Sequence, residues 1–272
     1  MAKNSPTLLT SSTPHIKVWL DETVGHLQFD RPQSKNAINA QMWKAIPQII
    51  ADLDKTSAVR TIVLSGAGTD SFSAGADISE FSANRTNTNA ARDYEDINVK
   101  AFSAITNAKK PTIAMISGFC MGGGLALALC CDLRIAAENT IFSLPPAKLG
   151  LAYPIEGIRQ LLTVVSPPIA KEMIYTARRV NALDASRFGL VNEVTSLDQL
   201  EDTVDNLCAI IARNAPLTIT ASKQTIDELH ARPENPDMAK INALSATCFD
   251  SQDYREGQAA FSEKRHPIFK GE

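Results

Sequence analysis

Three consecutive glycines, Gly122-Gly123-Gly124, are the strongest constraint on the fold of this 272-residue chain. The apolar run before them predicts a buried strand, and the apolar stretch from Leu125 to Cys131 predicts a helix. Glycine allows close approach of another group to the backbone. The start of a helix also presents free N–H groups and the positive end of a dipole. The turn therefore suits either anion binding or tight packing of a helix on a strand, and this stretch alone leaves both open.

Strand and helix patterns alternate through the first half of the chain. We predict strands at His15 to Leu20, Val24 to Phe29, Val59 to Leu64, Thr112 to Ser117 and Leu133 to Ala136. Between them we predict helices at 40 to 53, capped by Asn39, and at 91 to 108. Pro47 lies inside the first helix and is expected to bend or interrupt it. The alternation predicts an α/β fold with a largely parallel sheet covered on both faces.

Composition changes define the predicted domain organisation. The polar, Ser/Thr-rich residues 1–14 are expected to form a disordered tail, and the Asn/Thr-rich residues 82–92 a mobile loop that could act as a lid. After Leu151 strand-like runs give way to helical patterns, and a last helix is predicted from Asn242 to Arg265. We therefore predict an α/β core over 15–195 and a helical C-terminal region over 196–272.

The bulk properties exclude several classes of protein. A net charge of −3 argues against a nucleic-acid binder. No apolar run approaches the ~20 residues of a membrane span, and the N-terminus lacks a secretory apolar region, so we expect a cytoplasmic protein. The five cysteines form no CxxC pair and the four histidines make no ligand spacing, so we expect reduced thiols and no metal.

Common catalytic motifs are missing. Gly66-x-Gly68 follows a strand, but Ser71 replaces the third glycine of a dinucleotide fingerprint, which disfavours a dinucleotide-dependent reductase. No GxxxxGK[ST] or GxSxG pattern is present. Two glycine turns remain: Ala74-Gly75-Ala76-Asp77 and the triplet. Backbone N–H groups from two such turns, if directed at one carbonyl oxygen, would stabilise an enolate or a tetrahedral oxyanion.

Several segments, in order along residues 15 to 268, resemble the crotonase (enoyl-CoA hydratase/isomerase) superfamily. They are Ser34-Lys35-Asn36-Ala37-Ile38-Asn39, Phe72-Ser73-Ala74-Gly75-Ala76-Asp77-Ile78, Lys110-Pro111-Thr112-Ile113-Ala114, Gly118-Phe119-Cys120-Met121-Gly122-Gly123-Gly124, Cys131-Asp132-Leu133-Arg134-Ile135-Ala136, Gly189-Leu190-Val191-Asn192 and Ser251 to Arg265. The resemblance implies repeated β-β-α units with perpendicular sheets. It also implies a helical C-terminal region that forms trimers, which often pair into hexamers.

The same resemblance implies an acyl-CoA thioester as substrate, with no separate cofactor because coenzyme A is part of it. The backbone N–H groups of Ala76 and Gly123 would hold the thioester oxygen. The positions that would contact coenzyme A are Lys35, Ala37, Ala74, Asp77, Ile78, Phe261 and Lys264, the last two reaching it from an adjacent region or subunit. Lys35 and Lys264 could equally be solvated lysines, and Asp77 a capping or structural carboxylate.

The chain departs from the hydratase pattern at two positions. Hydratases of this superfamily carry glutamates where this chain has Ala126 and Pro146, and neither residue can transfer a proton. Tyr153 and Glu156 are the candidates to replace them. Tyr153 could instead close the pocket wall, and Glu156 could cap a helix.

Three functions are carried forward. The first is a lyase or isomerase that works through an enolate. The second is a decarboxylase, because the segments around Phe142 to Tyr153 and after Asp250 resemble the methylmalonyl-CoA decarboxylase branch, although that branch has a histidine at Ala76. The third is an acyl-CoA-binding protein with little or no activity. Apolar Leu144, Leu149 and Leu151 indicate an acyl group that is not highly charged.

Overall fold

The larger of two β-sheets organises the fold. The structure, a computed structural model, describes residues 7–80 and 88–272. The larger sheet has the strand order β1-β2-β3-β4-β6-β8-β11. Its first three strands are antiparallel, and the rest run parallel to β3. The strands are β1 (Thr7–Leu9), β2 (Ile16–Asp21), β3 (Val24–Phe29), β4 (Thr61–Gly66), β6 (Thr112–Ile116), β8 (Leu133–Ala137) and β11 (Glu193–Thr195).

A smaller sheet carries the turns of interest and has the order β10-β9-β7-β5. β5, β7 and β9 are parallel, whereas β10 pairs with β9 in the antiparallel direction. These strands are β5 (Ser71–Ser73), β7 (Phe119–Met121), β9 (Ile141–Ser143) and β10 (Val180–Asn181). Because neighbouring parallel strands end at the same edge, the turns after β5 and β7 lie side by side.

A β-β-α unit is repeated along the chain, as the resemblance implied. From β4 onward, each unit gives one strand to the larger sheet, the next to the smaller sheet, and then a helix: β4-β5-α2, β6-β7-α3 and β8-β9-α4. The helices of the core are α1 (Ala40–Lys55), α2 (Thr88–Thr106), α3 (Gly123–Cys130) and α4 (Pro146–Leu149). The predicted α/β class is therefore confirmed.

Both faces of the larger sheet are covered. The main core joins buried residues of the strands, α1, α2 and α3, among them Leu27, Trp43 and Leu125. On the other face α8 (Leu200–Ala212) packs against a second cluster that includes Val63 and Ile113. Burial on both faces explains why β4 and β6 are continuous apolar runs rather than alternating ones.

Helices dominate the second half of the chain, and the described residues after Thr195 contain no strand. The helices of the second half are α5 (Ile155–Val164), α6 (Pro167–Thr176), α7 (Ala182–Arg187), α8 (Leu200–Ala212), α9 (Pro216–Ala231), α10 (Met238–Phe249) and α11 (Gln252–Glu263). α9, α10 and α11 bury few of their side chains and leave large apolar residues exposed, including Phe249 and Phe261. None of the helices in the described ranges is both long and apolar enough to cross a bilayer.

The expected disorder of residues 1–14 is wrong for part of that segment. Residues 1–6 lie outside the described residues, but Thr7–Leu9 forms β1 and pairs with β2. The pairing satisfies backbone groups along the edge of β2, and Leu9 packs against the core. Of the predicted lid at 82–92, residues 82–87 lie outside the described residues, while the part from Thr88 onward begins α2.

Pro47 does not interrupt α1, which continues from Ala40 to Lys55. Proline removes one backbone hydrogen bond from a helix. Here Ile46, Ile49 and Ile50 bury the same helix in the core, and this packing outweighs the local cost.

Short strands were the least predictable elements. The sequence predicts no strand at Ser71–Ser73, and the apolar run before the glycines predicts a single strand. Instead Gly118, at φ +61°, separates β6 from β7, and a Cβ there would lie 2.0 Å from the carbonyl oxygen of Asp70. β9 and β10 were also missed, and the single helix expected at 242–265 is two helices, the second capped by Ser251.

Packing accounts for one glycine of the triplet. A Cβ on Gly124 would lie 2.6 Å from the Cβ of Ser73 and 2.7 Å from its carbonyl oxygen, so only glycine lets α3 contact β5 this closely. A Cβ on Gly122 would meet nothing within 4 Å, and its backbone has φ +50° and ψ −122°, which L-residues avoid. Tight packing therefore explains why residue 124 is glycine, whereas the turn conformation explains Gly122.

We expect Gly124→Ala to lower the free energy of unfolding by about 1–3 kcal/mol, because the added methyl overpacks the contact with β5. Helix propensity alone predicts the opposite sign, a gain of about 1 kcal/mol. Urea denaturation decides between them. Gly68→Ala, at φ +76° with no neighbour within 4 Å of the added Cβ, measures the cost of backbone strain without overpacking. A Gly124→Ala protein as stable as wild type would contradict the packing role.

Candidate active site

Two backbone turns meet at the edge of the smaller sheet. β5 leads into Ala74-Gly75-Ala76 and its parallel neighbour β7 leads into Gly122-Gly123. A Cβ on Gly75 would lie 2.8 Å from the carbonyl oxygen of Met121 and 3.1 Å from the nitrogen of Gly123. Gly75, at φ +99°, is thus required both by its conformation and by the contact between the turns.

The first turn is held by the backbone of Ile38, which forms a parallel bridge with Ala76. The N–H of Ile38 donates to the carbonyl of Gly75 (2.8 Å), and the N–H of Asp77 donates to the carbonyl of Ile38 (2.9 Å). Because backbone groups alternate in direction along an extended segment, the N–H of Ala76 points away from Ile38. It has no hydrogen-bond acceptor among the described residues.

The second turn is held by its own carbonyl. The oxygen of Gly122 accepts hydrogen bonds from the N–H of Ala126 (3.0 Å) and from the hydroxyl of Tyr153 (3.0 Å). Since a trans peptide directs its C=O and N–H to opposite sides, this fixes the direction of the Gly123 N–H. As the first residue of α3, Gly123 has no acceptor within the helix, and no other described residue supplies one.

Tyr153 is a part-buried wall residue whose hydroxyl serves the second turn. Burial raises the pKa of the Tyr153 phenol far above its usual range, so it is protonated at neutral pH and donates to Gly122. Its ring is seated against Gly157, where a Cβ would lie 2.6 Å from the ring carbon Cε1. The loop after α4 thus supports the second turn through the hydroxyl of Tyr153.

A cavity of about 100 Å³ opens beside the two turns. Its described lining is apolar or neutral throughout: Trp43, Ala74, Gly75, Ala76, Ile78, Asn98, Phe102, Gly122, Gly123, Ala126, Pro145, Pro146, Leu149, Leu151, Tyr153 and Pro154. No carboxylate, ammonium, guanidinium, imidazole or thiol is among these side chains. The cavity therefore offers backbone N–H groups as hydrogen-bond donors, but few side chains that could carry a charge or transfer a proton.

The two positions that depart from the hydratase pattern both line this cavity. Ala126, on the first turn of α3, is 1% exposed, and Pro146 is buried at the start of α4. The structure thus brings together both sites at which a glutamate is missing. Glu156 is not among the lining residues; it lies on the first turn of α5, where its carboxylate is 3.7 Å from the Nε of Arg159.

The sequence model for "Enoyl-CoA hydratase/isomerase" matches residues 20–272. A short-chain-enoyl-CoA hydratase of Clostridium acetobutylicum is 34% identical over 242 residues, which cover 89% of this chain and 92% of that protein. A crotonyl-CoA hydratase of Syntrophomonas wolfei is 35% identical over 249 residues, covering 92% of this chain and 95% of that protein.

The chain belongs to the enoyl-CoA hydratase/isomerase family. A crystal structure of an enoyl-CoA hydratase/carnithine racemase from Magnetospirillum magneticum superposes with a TM-score of 0.92 at 32% identity, covering 96% of this chain and 97% of that one. The resemblance read from the sequence and the fold class are therefore confirmed.

Two cations lie against one aromatic ring near the family's expected coenzyme A positions. The ammonium of Lys35 lies 4.8 Å, and the guanidinium carbon of Arg179 5.8 Å, from the centre of the Phe119 ring. Neither forms an ion pair with the part of the chain that the structure describes. The carbonyl of Lys35 accepts from the N–H of Ala74, so this region is tied directly to the first turn. Ala37 lies at the same loop, where its carbonyl accepts from Arg31.

The other predicted coenzyme A residues lie in two separate regions of the structure. Ala74 and Ile78 line the cavity, and Ile78 is exposed at its mouth together with Leu149. Phe261, which is 88% exposed, and Lys264 lie at the end of α11 and line no part of the cavity. One copy of the chain therefore does not bring them to the two turns. No cluster of ligand side chains within residues 7–80 and 88–272 could hold a metal ion.

Sequence reasoning missed three lining residues: Trp43, Asn98 and Phe102. Trp43 on α1 and Phe102 on α2 meet edge to face, with ring centres 5.7 Å apart. Asn98 could have been noticed as a polar residue within an apolar helical pattern, since Tyr94 and Phe102 lie four residues to either side.

The carboxylate of Asp77 is bound by other residues of the same chain. Its carboxylate accepts from the Ser79 hydroxyl (2.6 Å) and the Ser79 N–H (3.1 Å), and it pairs with Arg31 (2.8 Å). The hydrogen bond from the Ser79 hydroxyl lowers the pKa of the Asp77 carboxyl below its usual value, and Arg31 lowers it by a smaller amount. These partners support the capping role rather than a direct contact with coenzyme A.

We expect Asp77→Asn to lower the free energy of unfolding at pH 7 by about 1–2 kcal/mol, because charge-assisted hydrogen bonds are lost. A carboxyl whose folded pKa is depressed stabilises above its unfolded pKa and loses this contribution as the pH falls. The difference between variant and wild type should therefore narrow below pH 3.8. Urea denaturation across this range measures it, and a difference independent of pH would contradict the role of the ionised group.

Proposed function

We propose that this protein is an enzyme that acts on a short acyl-CoA thioester through an enolate. The backbone N–H groups of Ala76 and Gly123 form its oxyanion hole. The observation that supports this most directly is that two N–H donors without acceptors lie on adjacent turns at one small cavity. Its relatives named as short-chain-enoyl-CoA and crotonyl-CoA hydratases indicate the same class of substrate.

The electrostatics favour an enolate. Negative charge that develops on the thioester oxygen would receive two hydrogen bonds in a cavity with apolar walls, where such bonds are stronger than in water. Gly123 is also the first residue of α3, whose positive dipole end faces the same oxygen. Because both donors belong to the backbone and are already fixed, little reorganisation is needed when charge develops.

We do not propose that the protein hydrates an enoyl thioester with a pair of carboxylates. A water molecule that adds to an enoyl thioester must be positioned and deprotonated by a titratable group. Among the described lining residues the only titratable side chain is Tyr153, which is protonated and already donates to Gly122. Reactions that need an oxyanion hole but no strong base are therefore favoured.

Decarboxylation is the second candidate, and the absence of a base from the lining favours it. In a malonyl-type thioester the bond between the α-carbon and the carboxylate breaks, and carbon dioxide leaves. The electron pair of that bond forms the enolate, which the two N–H groups stabilise. A proton from water then adds to the α-carbon and completes the acyl thioester. No lining residue has to remove a proton in this sequence.

Lys35 and Arg179 are proposed to hold the phosphates of coenzyme A. Both cations flank Phe119, which precedes the second turn by about three residues, or ~10 Å of extended chain. This separation leaves room for the pantetheine arm between the phosphates and the thioester. Cations that lack partners in the described ranges are free to pair with an anionic ligand.

A second copy of the chain is proposed to cover α9, α10 and α11. These helices line an apolar groove of about 980 Å³, and Phe249, Tyr254 and Phe261 lie along it. Large apolar side chains that are exposed side by side along one groove often mark a contact between proteins. Association through this surface, into a trimer or a dimer of trimers, would also give Phe261 and Lys264 a neighbouring active site to reach.

The substrate class and the reaction can be tested together. Butyryl-CoA at a hundredfold excess over its dissociation constant should stabilise the protein by about 2.7 kcal/mol, as seen in a thermal-shift measurement. Crotonyl-CoA should bind but be hydrated slowly, and a malonyl-type thioester should release carbon dioxide if the second candidate holds. Rapid hydration of crotonyl-CoA would refute the argument from the missing glutamates. Binding without any turnover would instead identify an acyl-CoA-binding protein.

Tyr153→Phe should weaken the binding of butyryl-CoA about tenfold while leaving the affinity for coenzyme A itself unchanged. The physical reason is that the hydroxyl acts as a positioning group: it fixes the Gly122–Gly123 peptide, whose N–H binds the thioester oxygen that free coenzyme A lacks. Calorimetric titration of both ligands measures the difference. Tyr175→Phe, an exposed tyrosine outside the cavity, is the matched control. An equal loss for both ligands would indicate a general structural effect.

A further inference from the structure

Asn36 is completely buried, although asparagine is mostly exposed in folded proteins. Its Oδ1 accepts a hydrogen bond from the N–H of Arg31 (3.0 Å), and its Nδ2 donates to the carbonyls of Ala67 (3.0 Å) and Ser71 (2.6 Å). Its backbone N–H donates to the carbonyl of Arg31 (2.9 Å), and its carbonyl accepts from the Ser73 hydroxyl (2.8 Å). This one residue therefore joins the loop after β3 to the end of β4 and to β5.

These hydrogen bonds hold a strained segment of backbone. Lys35 and Asn36 are consecutive residues in the left-handed region, with φ of +51° and +54°. Asparagine visits this region more readily because its short side chain can hydrogen-bond locally, whereas a lysine adopts it at a cost in free energy. Such strain persists only where the surrounding structure imposes it, and it is concentrated at functional positions. The strain at Lys35 therefore calls for an explanation in terms of what that residue does.

The left-handed backbone sets the directions of both the carbonyl and the side chain of Lys35. The carbonyl accepts from the N–H of Ala74 (2.9 Å) and from the Ser71 hydroxyl (2.9 Å), which attaches it to the first turn and to β5. The ammonium lies 4.8 Å from the centre of the Phe119 ring on β7 and forms no ion pair with the described part of the chain. A glycine at this position would keep the backbone contacts without the strain. What the lysine adds is an oriented cation at the surface.

We infer that Asn36 is a positioning residue that acts through Lys35. Its buried carboxamide holds Lys35 in the left-handed conformation, and the Lys35 ammonium is thereby directed toward the phosphates of coenzyme A. The inference rests on the proposed function, in which Lys35 binds those phosphates. Without the carboxamide the segment relaxes and the ammonium is spread over a larger region, so that part of the binding free energy is lost in ordering it.

A double-mutant cycle tests whether Asn36 acts through Lys35. The ligand is coenzyme A itself, titrated calorimetrically into the full chain. We expect Lys35→Ala to weaken binding about tenfold in the wild-type protein but less than about twofold in the Asn36→Gly protein, where the lysine is no longer held in place. Glycine is chosen because it still reaches the left-handed conformation, so the substitution removes the carboxamide without adding strain.

Asn39→Gly is the matched control, because it removes a second buried carboxamide from the same segment. That carboxamide caps α1 by accepting from the N–H of Met42 (2.9 Å) and makes no contact with Lys35. Lys35→Ala should still weaken binding about tenfold in this background. If Asn36→Gly does not fold, Ser71→Ala replaces it in the cycle: it removes the hydroxyl that donates to the carbonyl of Lys35, and should reduce the effect of Lys35→Ala to about threefold.

The outcomes separate the inference from the function on which it rests. If Lys35→Ala weakens binding by the same factor in the wild-type and the Asn36→Gly (or Ser71→Ala) proteins, the role of Asn36 is overturned while the phosphate contact of Lys35 stands. A reduced factor in the Asn39→Gly control as well indicates a general structural effect and also overturns it. If Lys35→Ala has no effect in the wild-type protein, the phosphate contact fails and the inference fails with it. If the wild-type protein binds neither coenzyme A nor butyryl-CoA, the proposed function itself is wrong.

Discussion

The peptide between Gly122 and Gly123 is the unit on which the site depends. Its carbonyl accepts two hydrogen bonds, from Ala126 and Tyr153, and its N–H is left without a partner. The backbone conformation of Gly122 is one that only glycine adopts readily. Two parts of the chain therefore meet at one planar group: the turn from β7 into α3, and the distant loop before α5 that supplies Tyr153.

The three glycines have different roles in the packing of α3 and in the turn before it. Gly124 allows α3 to pack against Ser73, which brings the strand before the Ala74-Gly75-Ala76 turn into contact with the helix. Gly123 then lies opposite Ala76, and Gly122 supplies the turn. Close packing thus brings the two turns together, and the proposed binding of an anion by their N–H groups depends on that packing.

Much of the architecture could be predicted because its signals are local. Asn39 caps α1 as expected, and the apolar runs of β4 and β6 are strands. The resemblance selected Ala76 and Gly123, which lie on adjacent turns of the structure, and their role as donors to a substrate stays a prediction. The three-residue strands β5, β7 and β9 were not predictable in this way, since their pairing depends on contacts between distant segments. Asn98 was missed for a related reason: its place in the cavity lining depends on the fold, and the sequence shows only a polar residue on a helix.

The division of the site between backbone and side chains affects how the protein can evolve. Every residue except proline carries an N–H, so most substitutions at Ala76 would keep that donor as long as the turn is maintained. Acid–base chemistry in this fold depends instead on the identity of single side chains, and Ala126 and Pro146 occupy the two positions concerned. Under the proposed function, the electrostatic part of the mechanism is thus robust to mutation, whereas the proton-transferring part depends on the side chains at Ala126 and Pro146. A lineage with this fold can change its reaction without rebuilding its active site.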